Sequence, residues 1–247
     1  MAGHSKFKNI MHRKGAQDKR RALVFSKLGR EISISVKTGG SDPEKNTRLR
    51  TAISLAKAQN MPKDNIERAI KKAEKNDLDS NYEEVRYEGY GPSGIAVIVD
   101  AVTNNKNRTA SEVRTIFNKF GGNLAETGSV SYNFHRLGEI HLLKENLKAK
   151  EEEFFNYIID NGSTDYEISK NDYLIYCNMD DLHSLNQKIN YKFGNTSSAR
   201  LIWKSNSIKY IEKENYEKLL NLLNSLEENN DVQCVSSDFE ASGEMIN

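Results

Sequence analysis

The sequence predicts an α+β protein, with an N-terminal three-helix domain followed by two small α/β sandwich domains, the last ferredoxin-like and inserted in the middle one. Three observations predict this. Up to about residue 74, apolar residues recur at three- and four-residue steps, the period of amphipathic helices. After Tyr82 the period becomes two, interspersed with continuous apolar runs, as strands require. Residues 138 to 205 then spell strand, helix, strand, strand, helix, strand, the βαββαβ order of a ferredoxin-like unit.

The first fifteen residues lack apolar periodicity and read as a basic arm. From Ala16 a helix places Ala22, Phe25, Leu28, Ile32 and Val36 on one face and Lys19, Arg20, Lys27, Arg30 and Lys37 on the other. Gly39-Gly40 ends it. A second helix is expected from Asp42 as cap and Pro43 at its first position, running to about Asn60 with Leu49, Ile53 and Ala56 inward. Met61-Pro62 repeats the device before a third helix built on Ile66, Ala69, Ile70 and Ala73.

Beyond a polar linker at 75–81, EEVRYEGY and GIAVIVDAV bracket Gly91-Pro92-Ser93-Gly94, a hairpin signal. A helix over Arg108 to Phe120 and a third strand at SVSYNF complete a ββαβ piece. The βαββαβ unit follows as EIHLL, Glu151 to Ile159, STDYEI, YLIYC, Asp180 to Phe193 and SSARLIW. The tail adds a helix, Tyr216 to Leu226, and a strand, DVQCVSS. That tail is too little for a domain, but joined to the ββαβ piece it completes a second sheet. The expected domains are therefore 1–80, a basic helical domain; 81–136 plus 206–240, a discontinuous α+β domain; and 137–205, inserted in it. The alternative is one continuous α+β body without insertion.

Charge points to function. Lys+Arg and Asp+Glu nearly cancel over the 247 residues, 36 against 35. Residues 1 to 75 nonetheless hold 19 basic and 7 acidic side chains, a net of +12, while residues 76 to 247 hold 17 and 28, a net of −11. Segregation of this kind is expected when one part meets a polyanion and the rest must not. Lys6, Lys8, His12, Arg13, Lys14, Lys19, Arg20 and Arg21 fall within sixteen positions and can neutralise several phosphates. Phe7, between two lysines, can stack on an exposed base. With Lys27, Arg30 and Lys37 they form the candidate nucleic-acid-binding set; the alternative is a solvated basic face. Lys106 and Arg108, at a helix mouth in NNKNRT, are a candidate phosphate contact, or else part of a plain loop capped by Thr109 or Ser111.

Other chemistry finds no support. Gly89, Gly91 and Gly94 match GxGxxG, but a strand follows where the dinucleotide fingerprint needs a helix. There is no GxxxxGK[ST], no HExxH, and no CxxC among the two cysteines, Cys177 and Cys234. No nucleophile, base and orienter come together. The expectation is a non-enzyme with no cofactor, no metal and no small-molecule substrate. No run approaches the roughly 18 apolar residues of a bilayer helix, and no leader precedes MAGHSKF, so a cytoplasmic protein without membrane contact is expected. Polar outer helix faces predict a monomer.

MAGHSKFKNIMHRKGAQDKRR, REISISVKTGG, DPEKNTRLR, NMPKDNIERAI, YEGYGPSG and NKNRT, in that order, resemble the YebC family. Phe7 stands where the family usually carries Trp, Ser35 where Ala is common, and KKAEKND lacks the usual glycines. The resemblance implies a helical domain and two α/β domains, the third inserted in the second. It also implies a regulator of gene expression of the DNA-binding transcriptional type. The alternative is a ribosome-associated translation factor that binds ribosomal RNA and relieves stalling, as the mitochondrial members activate translation of a cytochrome oxidase subunit. A second alternative is a protein-interaction scaffold.

Overall fold

The computed structural model describes residues 17–75, 81–211 and 213–239. Its helical head consists of α1 (Gln17–Gly39), α2 (Thr47–Ala58) and α3 (Lys63–Glu74). The first α+β part follows as β1 (Glu83–Tyr90), β2 (Ala96–Thr103), α4 (Lys106–Lys119) and β3 (Asn123–Ala125). Next come β4 (Phe134–Leu143), α5 (Glu151–Asp160), β5 (Ser163–Ile168), β6 (Asp172–Cys177), α6 (Leu182–Lys192) and β7 (Ser198–Ser205). The chain closes with α7 (Lys213–Glu227) and β8 (Val232–Ser237).

Two four-stranded sheets result, ordered β3-β1-β2-β8 and β5-β6-β4-β7. The second order is that of a ferredoxin-like βαββαβ unit, in which the two strands that open the half-units lie side by side at the centre. In the first sheet β8 pairs antiparallel with β2 more than 100 positions earlier, with a bulge between Asp100 and Ala101. The tail thus completes a sheet begun before the ferredoxin-like unit. By contact the chain divides into two compact units: Met1–Lys27, Leu78–His135 and Trp203–Asn247 form one, Leu28–Asp77 and Arg136–Ile202 the other.

In the first unit β2 is apolar on both faces because both faces are covered. Val97 and Val99 turn to α4 and α7, packing with Val113, Phe117, Leu219, Leu222 and Leu226. Ala96 and Ile98 turn the other way, to Val130, Phe134 and Trp203. The hairpin turn between β1 and β2 puts Ser93 and Gly94 at φ of +58° and +69°, the left-handed region that favours glycine. At Gly89 the reason is space, since a Cβ would stand 2.6 Å from the Asn123 carbonyl oxygen and 2.8 Å from the Phe117 ring. Two of the three glycines of GxGxxG are therefore accounted for by the hairpin and its packing, and β2 follows them.

In the second unit Ile140, Leu142, Tyr173 and Ile175 meet Phe154, Ile158, Leu185, Ile189 and Phe193 from α5 and α6. Burial pushes the Cys177 thiol up to about 12, with Asp181 adding to the shift. Tyr173 is likewise raised to about 12, first by burial and then by its hydrogen bond to the Glu151 carboxylate.

Three local expectations are corrected. The second helix begins at Thr47, not at Pro43: residues 43–45 form turns, and Asn46 caps the helix by accepting from the Leu49 N–H at 3.0 Å. Pro62 is the N-cap of α3 and not its first helical residue. SVSYNF is not a strand; the third strand is the short β3, Ser131–Asn133 is a 3-10 turn, and Phe134 opens the long β4. SVSYNF has enough β-branched and aromatic residues to read as a strand. Its backbone instead satisfies the buried Glu88 carboxylate, which accepts from the Val130 and Ser131 N–H groups at 2.9 and 3.0 Å.

Candidate nucleic-acid interface

α1 carries the basic residues because its apolar stripe is short. Ile32, Ser33, Ile34, Ser35 and Val36 are all buried, five successive positions that take in every side of the helix there, before Thr38 and Gly39 are exposed. The buried hydroxyls are satisfied within the helix, Ser33 donating to the Gly29 carbonyl at 3.0 Å and Ser35 to the Glu31 carbonyl at 2.7 Å. Toward the other end Arg21, Ala22 and Val24 are exposed. The Arg21 guanidinium lies 5.3 Å from the Phe25 ring centre, within cation–π reach, while the residue stays exposed.

Asn46 sets where α1 stops and α2 starts. Its amide donates to the Ser35 and Gly40 carbonyls, both at 2.7 Å, while its oxygen caps α2. The approach is so close that a Cβ on Gly39 would lie 2.7 Å from the Asn46 nitrogen. Arg48 then bridges back to Glu31 through two bonds of 2.7 and 3.2 Å. α2 is in turn held to the ferredoxin-like unit by His183 against the Thr51 hydroxyl at 3.1 Å. Burial, and secondarily Arg48, lower the His183 pKa and favour neutral imidazole.

The expected binding residues fall into three groups. Lys6, Phe7, Lys8, His12, Arg13 and Lys14 lie outside the described residues, as does the side chain of Lys19. Arg20 and Arg21 sit half-exposed and exposed on the first turns of α1. Lys27, Arg30 and Lys37 are half-buried, and Lys27 donates to the Glu227 carbonyl at 2.7 Å, so part of its hydrogen-bonding capacity serves the fold.

Sequence reasoning missed α3. Ile66 and Ala73 are buried there, while Arg68, Lys71, Lys72 and Lys75 are exposed. Those four stand at i, i+3, i+4 and i+7, so they share one face over about 10 Å of helix. A cavity of about 580 Å³ opens along this face, lined among the described residues by them together with Asp64 and Glu67. The signal was legible, because the cations repeat with the same period as the apolar residues, two positions out of phase.

The mouth of α4 is organised differently from the expectation. Asn105, not Thr109 or Ser111, is the cap, accepting from the Arg108 N–H at 3.0 Å. The Lys106 ammonium lies 2.8 Å from Glu83. Arg108 donates to Asp231 at 2.6 Å, a bond that raises its pKa further. Asp231 is buried and also accepts from Thr109 at 2.6 Å and Thr103 at 3.1 Å. Both candidate phosphate ligands are thus engaged with carboxylates of this chain. Among the described residues there is no group of three or more metal-ligating side chains, and no helix is long and apolar enough to cross a membrane.

Together these parts define a three-part α+β protein in which a cationic helical head accompanies two small antiparallel sheets, one of them ferredoxin-like. Residues 5–76 match the family model of the TACO1/YebC protein N-terminal domain, and residues 82–239 match that of the TACO1/YebC second and third domain. The chain belongs to the TACO1/YebC family, a family of regulators of transcription or translation. It is also similar to the crystal structure of a conserved hypothetical protein from Aquifex aeolicus, at 42% identity and a TM-score of 0.88. That match covers 96% of this chain and 98% of the other.

Proposed function

We propose that the chain is a non-enzymatic regulator of gene expression that binds nucleic acid through the backbone phosphates, using its basic arm, the first turns of α1 and the outer face of α3. The observation that carries this reading is the charge segregation, +12 over residues 1–75 against −11 over the rest. Cations held on rigid helices release counterions from a polyanion, whereas the acidic remainder is repelled by it and limits contact to one part.

Ribosomal RNA is favoured over duplex DNA by the mouth of α4. Its first basic side chains, which would reach base edges if the helix entered a major groove, are paired with Glu83 and Asp231. What remains are cations suited to phosphate, which position a protein without reading sequence.

Sedimentation of the full chain through a sucrose gradient tests this, alongside K19E/R20E/R21E, at low and moderate salt. Wild type travelling with ribosomal particles while the reversal stays at the top is the expected outcome. Wild type at the top under both conditions removes the ribosomal reading, and retention of duplex DNA in a mobility-shift assay then selects the transcriptional one. Failure to bind either polymer removes both.

A further inference from the structure

Two loops of the first unit are tied together and carry exposed aromatic side chains. The Asn206 N–H donates to the Asn133 carbonyl at 2.8 Å, and the Asn133 amide donates to the Ser207 hydroxyl at 2.8 Å. His135 Nδ1 lies 2.8 Å from the Asn206 side-chain oxygen. Lys209 fixes the far end of the second loop, its N–H donating to the Asp238 carbonyl at 2.7 Å and its ammonium to the Gly94 carbonyl at 2.8 Å. On this frame Tyr132 is 80% exposed and Tyr210 73% exposed, with Ile208 between the loop bonds and Tyr210 at 43%.

Two tyrosines this open contribute nothing to a core, yet the backbone under them is fixed by several hydrogen bonds. Exposed aromatic surface on a rigid frame marks an interaction site. The charge around it selects the partner. Residues 127–135 and 203–211 contain no Asp or Glu, although residues 76–247 carry 28 of them, and they do contain Lys204, Lys209 and His135. The carboxylates that reach these loops from elsewhere, Glu88 under Val130 and Ser131 and Asp238 at 3.3 Å from the Lys209 ammonium, are both buried. A surface without exposed acid from its own loops repels a polyanion less than the acidic region around it. Tyrosine faces beside amide and hydroxyl groups suit unstacked bases, which present both a π-face and hydrogen-bonding edges.

We propose that the paired loops at Tyr132 and Tyr210 are a stacking platform for bases of single-stranded RNA, separate in chemistry from the phosphate-binding cations of the helical head. This inference rests on the reading of the chain as a nucleic-acid binder and specifies an unpaired RNA segment as the form it holds. The platform supplies base contacts and few charges, so it adds affinity without adding salt dependence.

The test is fluorescence anisotropy of the full chain with a labelled oligouridine and a DNA duplex of equal length, over a range of salt. Y132A/Y210A is expected to weaken oligouridine binding by about tenfold or more, leaving the salt slope and duplex binding unchanged. Y132F/Y210F is expected to retain wild-type affinity, because the ring and not the hydroxyl stacks. Both side chains are mostly in solvent, so the variants should melt with wild type. Unchanged oligouridine affinity in Y132A/Y210A overturns the platform, and if ribosome co-sedimentation is lost at the same time, the tyrosines contact protein. Equal loss on duplex and oligouridine also overturns it. The K19E/R20E/R21E variant separates the two readings: loss there with full binding in Y132A/Y210A keeps the basic head and removes the platform. A wild type that binds neither probe removes both.

Discussion

Arg108 and Asp231, 123 positions apart, meet at 2.6 Å and close the first unit across everything the chain inserts between them. The Asp231 side chain is 4% exposed and that of Arg108 45%, so the pair is a buried carboxylate held by a cation at its rim. Thr103 at the end of β2 and Thr109 in α4 also donate to the carboxylate.

Arg108→Ala should therefore act on stability and not on nucleic-acid affinity. It removes the cation that faces a buried carboxylate, at a cost of about 3 kcal/mol. The single tryptophan, Trp203, donates to Asp100 in the same unit and reports its unfolding in urea. In a cycle of R108A, D231A and the double variant, a coupling above about 1 kcal/mol is expected, and additivity would show that the pair carries no stability.

Asn46→Ala removes three hydrogen bonds at once, one a helix cap. A loss of about 2 kcal/mol is expected, visible as a lower melting temperature. Asn46→Asp should recover little, since a carboxylate can still cap α2 but cannot donate to the Ser35 and Gly40 carbonyls.

Stability should fall on mild acidification because of His183. Its folded pKa lies below that of the unfolded chain, so the unfolded state binds the proton more readily. The contribution is fully present above the unfolded value of about 6.5 and is lost as pH drops from there through the lower folded value. Urea midpoints measured at about pH 7.5 and about pH 5.5 should differ less in H183Q than in wild type. Equal differences would mean that other groups set the slope.

Both cysteines are buried, and the Cys177 thiol is held far from ionisation. Iodoacetamide at mildly alkaline pH should leave the native protein unlabelled and modify two thiols after denaturation. Rapid native labelling at Cys177 would contradict the packing of β6 against α6.

Among the described side chains, Arg21 is the exposed α1 cation nearest the expected arm. Arg21→Ala should weaken binding to RNA of any sequence to a similar degree and reduce the salt slope by about one. A sequence-dependent loss would instead place this guanidinium on base edges.

The sequence by itself determined what depends on near neighbours. The change of period at Tyr82, Gly40 past the end of α1 and the turn glycine Gly94 fix element type through backbone sterics and local burial. The βαββαβ order also determined the β5-β6-β4-β7 arrangement, because few chiral, unknotted closures exist for that order. The charge split needed no structure, although the stripe on α3 was legible and went unread. Only the tertiary structure decided which charges are spent. Lys106 and Arg108 look like phosphate ligands until Glu83 and Asp231 occupy them, and Asp231 lies 123 positions from Arg108. It also decided that SVSYNF wraps Glu88 in place of forming a strand, and that Asn46 and not Asp42 starts α2. For Arg108 and Glu88 the winning interaction joins groups distant in sequence, because a polar group taken out of water costs free energy unless a partner satisfies it. For Asn46 the cap itself is local, and the added bonds to the Ser35 and Gly40 carbonyls select it. Local propensity carries no information about the distant partners.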